Sequence, residues 1–158
     1  MNDNKPDKHF VSASAIIPAR REQVYALIAN YRDGHPRILP KQISGLVVEQ
    51  GGIGAGTVIR FQMSVFGKKQ TIRAAVTEPE PGRVLVEADL DTNGAVTTYT
   101  VDQGPAPADS RVTISTELKV RSGFLGTLEK SLSTLLLRPM YLQELENLAR
   151  VATGPFGV

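Results

Sequence analysis

The chain has 158 residues, a formal net charge of +2, 41% hydrophobic residues and 22% charged residues, which are the size and composition of one globular domain with a real core. It contains no cysteine, which excludes a disulfide framework, a thiolate metal site and a cysteine nucleophile. No run of about 18 apolar residues is present, so we expect no membrane-spanning helix, and the polar start MNDNKPDKHF lacks a signal-peptide core, so we expect a cytoplasmic location.

The basic residues do not form the footprint of a nucleic-acid-binding protein. They are scattered among acidic residues, apart from the pairs Arg20-Arg21 and Lys68-Lys69. A nucleic-acid surface would be denser and would be interleaved with aromatic side chains. We therefore expect no nucleic-acid partner.

The first 40 residues predict one strand and two short helices. Residues 1–8 are expected to be disordered. In FVSASAII, the alternation of apolar residues predicts a strand, which Pro18 ends. A helix is predicted from Arg21 to Tyr31, and the segment RDGHPRILP predicts a turn with a short second helix. The apolar residues that define the buried faces are Val11, Ala13, Ala15 and Ile17 on the strand, and Val24, Leu27, Ile28 and Tyr31 on the helix.

From residue 42 to residue 120 the apolar pattern has a period of two. It predicts six strands, in the segments QISGLVVEQ, TVIRFQMSVF, QTIRAAVTE, RVLVEADL, AVTTYTVDQ and RVTISTELKV. Short turns separate several of them, so successive strands should pair antiparallel. The resulting sheet has one apolar face and one polar face, and the apolar face needs a cover.

The phase of each strand predicts which side chains face the cover. In RVLVEADL we place Val84, Val86, Ala88 and Leu90 on the apolar face. Glu87 and Asp89 then lie on the opposite face, where we interpret them as solvated charges. Arg60, Gln62 and Arg73 are out of phase with their apolar neighbours. They lie either on the solvent face or, in a sheet that encloses a cavity, inward as ligand-orienting groups.

The cover is predicted to be a long helix, roughly from Gly123 to Ala152, that contains Pro139. Its apolar residues form two stripes, displaced from each other by about 120° around the helix. We predict that a kink or break at Pro139 lets the two halves face differently, so that the helix follows a strongly curved sheet, bridges a hollow, or does both. The stripe before Pro139 contains Phe124, Leu125, Leu128, Leu132, Leu135 and Leu136, and the stripe after it contains Tyr141, Leu142, Leu145, Leu148, Ala149 and Ala152.

This order of elements, and four segments in particular, resembles the START/Bet v 1-like (SRPBCC) superfamily and, within it, the polyketide cyclase/dehydrase-type group. Val24-Tyr25, Tyr31 and Pro36 stand where that group has a Val-aromatic helix followed by a Tyr…Pro turn. The four segments are SAIIPARREQVYALIANYRDGHPRILP, GGIGAGTVIRF, TEPEPGRVLVEA and TTYTVD…SRVTISTEL.

The resemblance implies an α+β helix-grip fold, in which a curved antiparallel sheet of about seven strands wraps around the long C-terminal helix. We expect a single domain over residues 9–152 and a tail over residues 153–158. It also implies a cavity between sheet and helix. Similar proteins bind lipids, sterols, quinones or polyketides there, and a minority catalyse cyclisation, aromatisation or dehydration.

The residues expected to contact a ligand are those that the pattern places on the inner face of the sheet and on the covering helix. Met63 and Met140 are suited to an adaptable pocket because thioethers fit irregular shapes. The predicted ligand-binding residues are Tyr31, Ile59, Phe61, Met63, Ile72, Ala74, Val76, Tyr99, Leu128, Leu132, Leu136 and Met140.

Two residues are candidates for proton transfer. His35, in the turn DGHP, could act as a general base near neutral pH, or it is an exposed loop histidine or a local cap. Tyr99 could donate its hydroxyl proton to a ligand carbonyl, or it is a packed tyrosine at the centre of a strand. The sequence has no G-x-S-x-G, H-E-x-x-H or P-loop motif, and we expect no metal and no cofactor.

Three functions remain open at this point. The first is binding of an apolar or amphipathic small molecule that is lipid-, quinone- or polyketide-like. The second is a cyclase/dehydratase-type enzyme that uses Tyr99 or His35. The third is a protein-interaction domain with a closed core, and an oligomer is compatible with all three. The enzyme hypothesis requires at least one of the two side chains to point into the cavity with a polar partner.

Overall fold

The computed structural model of the protein describes residues 5–91 and 94–155. One short 3-10 helix, His35–Arg37, stands where the second short helix was predicted. Residues 1–4 of the predicted disordered segment and residues 156–158 of the predicted tail lie outside the described residues. The other elements are β1 (Asp7–Ile17), α1 (Arg21–Ala29), β2 (Ile43–Gln50), β3 (Val58–Val65), β4 (Lys68–Glu80), β5 (Val84–Asp89), β6 (Val96–Gln103), β7 (Ser110–Val120) and α2 (Gly123–Thr153).

The seven strands form one antiparallel sheet in the order β1-β7-β6-β5-β4-β3-β2. The predicted meander from β2 to β7 is therefore confirmed, and β1 pairs with β7 at the far edge. The β3–β4 turn shows why the chain reverses tightly. Val65 pairs with Lys68, and the two residues between them, Phe66 and Gly67, both have positive φ, as a two-residue hairpin turn of type I′ requires. The α+β helix-grip fold is confirmed.

One face of the sheet carries the core, as the alternation predicts for most strands. Val11, Ala13 and Ile17 of β1 are buried there, as are Val112 and Ile114 of β7. On the opposite face, the side chains of Arg60 and Arg73 are two-fifths exposed and pair with Glu49. The open question about these arginines is thus decided in favour of the solvent face.

The predicted phase of β5 is wrong. Leu85 is completely buried, whereas Leu90 is 50% exposed, so the inner face carries Leu85, Glu87 and Asp89. The register agrees with this placement, since Glu87 pairs with buried Val76 on one side and with Thr97 on the other. The reason is that β5 begins Val-Leu-Val, which is apolar on both faces and therefore does not define a phase.

The helix α2 covers the sheet with its second half only. The stripe after Pro139 packs on the core, where Tyr141, Leu145 and Leu148 are buried. The stripe before Pro139 faces away from it, and the exposed fraction reaches 83% at Phe124. The two stripes therefore do not both pack on the sheet, and α2 continues through Pro139 without a break.

Contacts from both halves of α2 hold the helix in place. In the first half, the hydroxyl of Thr134 lies 2.9 Å from Nε2 of His9 on β1. Towards its end, Nδ2 of Asn147 donates to the backbone oxygens of Ile38 and Leu39, at 3.1 and 3.2 Å. The second half of the helix is thereby fixed against the segment that follows the 3-10 helix.

Replacing the proline tests whether it serves the packing of α2. Proline in a helix interior costs about 3 kcal/mol, because Pro139 cannot donate to the oxygen of Leu135. Proline also stabilises the folded state by about 0.4–1 kcal/mol, because it restricts the unfolded chain. Pro139→Ala should therefore raise the free energy of unfolding by about 2 kcal/mol in urea denaturation, with the exposed neighbour Arg138→Ala as control. A loss of stability would show that the packing of Met140 to Ala152 depends on the proline.

Candidate functional site

A cavity of about 150 Å³ lies between the inner face of the sheet and the second half of α2. It extends from Gln70, which is exposed, to Tyr99 and Glu144, which are buried. One water molecule needs only about 10–15 Å³, so there is room for a small organic molecule. Its lining residues are Ile43, Phe61, Met63, Gln70, Ile72, Ala74, Glu87, Asp89, Ala95, Thr97, Tyr99, Thr116, Leu118, Leu137, Met140, Tyr141 and Glu144.

The structure brings half of the predicted ligand-binding residues to this cavity. Those that line it are Phe61, Met63, Ile72, Ala74, Tyr99 and Met140. Ile59 and Val76 are buried on the same face of β3 and β4 but are not among the lining residues, and Tyr31 lies behind Glu87, to which it is hydrogen-bonded. Their contact with a ligand remains untested.

The three leucines predicted from the first half of α2 are placed elsewhere. Leu128 is 58% exposed and Leu132 is 44% exposed, and Leu136 is half-buried outside the cavity. Leu137, the next residue along the helix, lines the cavity instead. The cause is the orientation of α2 about its own axis, which points the first apolar stripe away from the sheet.

Glu144 is the principal site residue that the sequence interpretation missed. It lies three residues after Tyr141 and directly before Leu145, so helical spacing places it on the buried stripe of α2. Only 3% of its surface is exposed. A carboxyl on an apolar helical face was the signal in the sequence that could have identified it, because buried acidic groups are rare unless they are paired.

Glu144 and Tyr99 form a buried pair at the inner end of the cavity. The Tyr99 hydroxyl donates to Oε1 of Glu144 at 2.8 Å. Burial raises the pKa of Glu144 to about 8, with the Tyr99 hydrogen bond opposing the shift and the charge of Glu87 adding to it. Burial and the charge of Glu144 hold the pKa of Tyr99 well above its usual range. Glu144 therefore exchanges its proton near neutral pH, while Tyr99 keeps its own.

A second carboxyl, Glu87, lies beside a stacked tyrosine and histidine. The Tyr31 hydroxyl donates to Oε1 of Glu87 at 2.5 Å, and Nε2 of His35 is 3.6 Å from the same oxygen. The rings of Tyr31 and His35 stack with centroids 4.5 Å apart. Nδ1 of His35 is 2.8 Å from the backbone oxygen of Ile28, so this nitrogen carries a proton and donates.

The third polar group of the cavity is a chain of hydroxyls. Oγ1 of Thr97 and Oγ1 of Thr116 are 2.8 Å apart, and the Tyr141 hydroxyl is hydrogen-bonded to Thr116. Burial raises the pKa of Tyr141 to about 12. These three hydroxyls stay neutral and can turn to donate or accept.

The two proton-transfer candidates have different positions. Tyr99 lines the cavity and has a polar partner in Glu144, which satisfies the condition set for the enzyme hypothesis. His35 is buried, not an exposed loop residue, and it reaches the cavity only through Glu87 and through an edge contact with the Tyr99 ring. Over residues 5–91 and 94–155, no three acidic or histidine side chains are grouped closely enough to hold a metal ion.

The sequence matches a known protein family. The model of the family described as polyketide cyclase / dehydrase and lipid transport matches residues 8–153. The chain belongs to this family. A comparison with curated proteins gives no match. Within the described part of the chain, no helix is both long and apolar enough to cross a membrane.

Solved structures show the same fold as this family member. The KanY protein, solved by NMR, is 29% identical with a TM-score of 0.80, over 94% of this chain and 99% of that one. A START superfamily protein from Mycobacterium smegmatis is 15% identical with a TM-score of 0.73, over 92% and 99%. The Zhui aromatase/cyclase from Streptomyces sp. R1128 is 13% identical with a TM-score of 0.73, over 96% and 100%. The helix-grip fold of this chain is thus a known architecture.

The raised pKa of Glu144 predicts a pH-dependent cost to stability. Between the ordinary value of 4.5 and about 8, the folded state binds more protons than the unfolded state, so stability falls as pH rises across this window and then levels off. The ionisation of Glu144 costs on the order of 5 kcal/mol at most. Glu144→Gln keeps an acceptor for Tyr99 and removes the ionisation.

Urea denaturation between about pH 5 and about pH 9 checks this prediction. The stability of the Glu144→Gln protein relative to the native protein should increase steadily up to about pH 8. Glu146→Gln, an exposed position two residues further along α2, is the matched control and should leave the pH profile unchanged. A constant difference between the Glu144→Gln and native proteins would contradict the assigned ionisation.

Proposed function

We propose that the protein binds an apolar or amphipathic small molecule in the cavity between the sheet and α2. The observation that supports this proposal is the cavity itself, whose walls are largely apolar and whose inner end carries buried polar groups. Small-molecule sites typically combine hydrophobic walls with a few fixed polar groups. An amphipathic molecule would place its polar end at Tyr99 and Glu144 and its apolar body against Phe61, Met63 and Met140.

The size of the cavity supports a small ligand, or the small end of a larger one. An apolar protein cavity of about 150 Å³ is known to hold one benzene molecule. A single ring is therefore the natural probe, and a lipid-, quinone- or polyketide-like molecule would enter with one ring or one chain end. The cavity reaches the exposed Gln70, which leaves room for the remainder outside.

Filling the cavity should abolish binding. Met63 points into it from β3, and Ser64, the next residue, lies on the other face of the strand. We expect native mass spectra of the freshly purified protein to show a retained small molecule that is absent from the denatured spectrum. Met63→Trp should lose the molecule or bind it at least about tenfold more weakly, and Ser64→Trp, the matched control, should retain it.

Two results together would contradict the binding proposal. The first is a native protein with no retained molecule. The second is a Met140 methyl resonance that does not shift when benzyl alcohol is added as a single-ring probe. Since Met140 lines the cavity, a probe that binds there must change the surroundings of its methyl group.

A second candidate function, acid–base catalysis in the same cavity, is favoured by Glu144. A catalytic base or acid works best when its pKa lies near the working pH, and the pKa of Glu144 is raised to about 8. Ionised Glu144 could accept a proton from carbon next to a ligand carbonyl. The neutral Tyr99 hydroxyl could at the same time donate a hydrogen bond to the developing oxyanion.

Hydrogen–deuterium exchange of a simple ketone tests this candidate. In D₂O, an active protein should accelerate exchange of the methyl protons of acetophenone, and the rate should rise with pH up to about 8 as Glu144 ionises. Tyr99→Phe should lower the rate about 10²–10³-fold, which is typical for the loss of one oxyanion donor. Exchange at the buffer rate would count against catalysis on ketones and would leave binding as the function.

A further inference from the structure

The charges that line the cavity are all of one sign. Glu87, Asp89 and Glu144 line it, and none of the described lining residues is a lysine, arginine or histidine. Nε2 of the basic side chain His35 is 3.6 Å from Oε1 of Glu87, and His35 is not among the lining residues of the cavity. An acidic site with apolar walls has the charge that a cation, and not an anion, would complement.

The carboxyls of the cavity are only partly supplied with hydrogen-bond donors. Oε1 of Glu144 accepts from Tyr99, and Oε1 of Glu87 accepts from Tyr31. Within residues 5–91 and 94–155, the structure gives no hydrogen-bond donor to Oε2 of either carboxyl. In the observed arrangement each tyrosine directs its proton to a carboxyl, so its oxygen is oriented to accept from a ligand. A ligand that satisfies both Oε2 atoms when the carboxyls are ionised must supply donors to them.

A protonated amine meets both conditions. An ammonium group carries one positive charge and three donors and has no acceptor. The rings of Phe61 and Tyr99 line the same cavity, and aromatic faces attract cations within about 6 Å. An amide or alcohol offers fewer donors and no charge, and a carboxylate or phosphate would be repelled by the acidic groups.

We propose that the natural ligand is a primary or secondary amine on an apolar, ring-sized body, with its ammonium group between Glu144, Glu87 and the Tyr99 oxygen. Its body packs against Phe61, Met63 and Met140. This proposal rests on the binding function proposed above and specifies the chemical class of its ligand.

The protonation of Glu144 sets how amine binding depends on pH. The ammonium pairs with the ionised carboxyl, so binding displaces the proton that burial favours on Glu144. Affinity then rises with pH, by up to about tenfold per pH unit below about 8. A ligand carbonyl that accepts from protonated Glu144 has the opposite dependence. The titratable groups that face Glu144 or its neighbours are Tyr99 on β6, Glu87 and Asp89 on β5, Tyr141 on α2, and Tyr31 and His35 behind Glu87.

Three near-isosteric probes distinguish these possibilities: benzylamine, benzyl alcohol and benzoate. The sequence has three methionines, and two of them, Met63 and Met140, line the cavity. Labelling of the methionine methyl groups therefore gives two NMR reporters inside the site, from which the dissociation constant of each probe follows by titration. Benzylamine stays mostly protonated up to about pH 8, as alkyl ammonium groups do.

The expected result has three parts. At about pH 8, benzylamine binds at least about tenfold more tightly than benzyl alcohol, and benzoate binds most weakly of the three. Between about pH 6 and about pH 8, the affinity for benzylamine increases at least about tenfold, while that for benzyl alcohol stays level or falls. Glu144→Gln removes the preference for benzylamine and its pH dependence but retains binding of benzyl alcohol, and Glu146→Gln changes neither.

The outcomes separate this inference from the proposed function. If benzyl alcohol or benzoate binds as tightly as benzylamine, or if benzylamine binding weakens as pH rises from about 6 to about 8, the inference is overturned and small-molecule binding stands. If none of the three probes shifts the methyl resonances of Met63 and Met140, the inference is overturned, and the proposed function is overturned with it when the native protein also retains no small molecule.

Discussion

A single helix has to cover one face of a seven-stranded sheet, and the rest of the molecule follows from how much of that face it covers. A curved apolar face must be removed from water, but only the second half of α2 packs on it, through Tyr141, Leu145 and Leu148. The segment after α1 helps at the same end, where Asn147 binds the backbone of Ile38 and Leu39. The cavity lies between the inner face of the sheet and α2, beside Met140.

The fold was predictable because the periodicities in the sequence are long and consistent. Six alternating segments with short turns allow little besides a meander, and one long helical segment is left to cover it. The positions of individual side chains were less predictable where a pattern has two solutions. In β5, Val84, Leu85 and Val86 are apolar on both faces. In α2, both stripes have helical spacing, and only the packing shows that the stripe with Leu128 and Leu132 faces away.

The polar groups of the site were harder to predict for a related reason. A period-two pattern assigns Glu87 to solvent because acidic residues are normally exposed, but this strand turns two acidic residues inward. Glu144 lies within the apolar stripe of Tyr141, Leu145 and Leu148, whose helical spacing predicts apolar side chains at its positions. Tyr99 was found because a tyrosine on an inner strand face is compatible with both a core and a site. Sequence patterns predict correctly whether most side chains are buried or exposed, and the residues of a site are the exceptions.

Those exceptions carry a cost that packing alone does not explain. A buried carboxyl such as Glu144 destabilises the folded state whenever it ionises, and an apolar residue or a glutamine at the same position would avoid that cost. The hydrogen bond from Tyr99 stabilises one oxygen of the carboxyl and leaves the other facing the cavity without a donor among the described residues. Glu87 repeats the arrangement with Tyr31. Within the described chain, each of these two carboxyls has a hydrogen-bond donor for only one of its oxygens, and the described lining of the cavity contains no basic residue. This arrangement is better matched to a ligand than to the folded protein alone. Departures from the most stable choice of residue are expected where a protein acts on another molecule, and in this protein they meet at the inner end of the cavity.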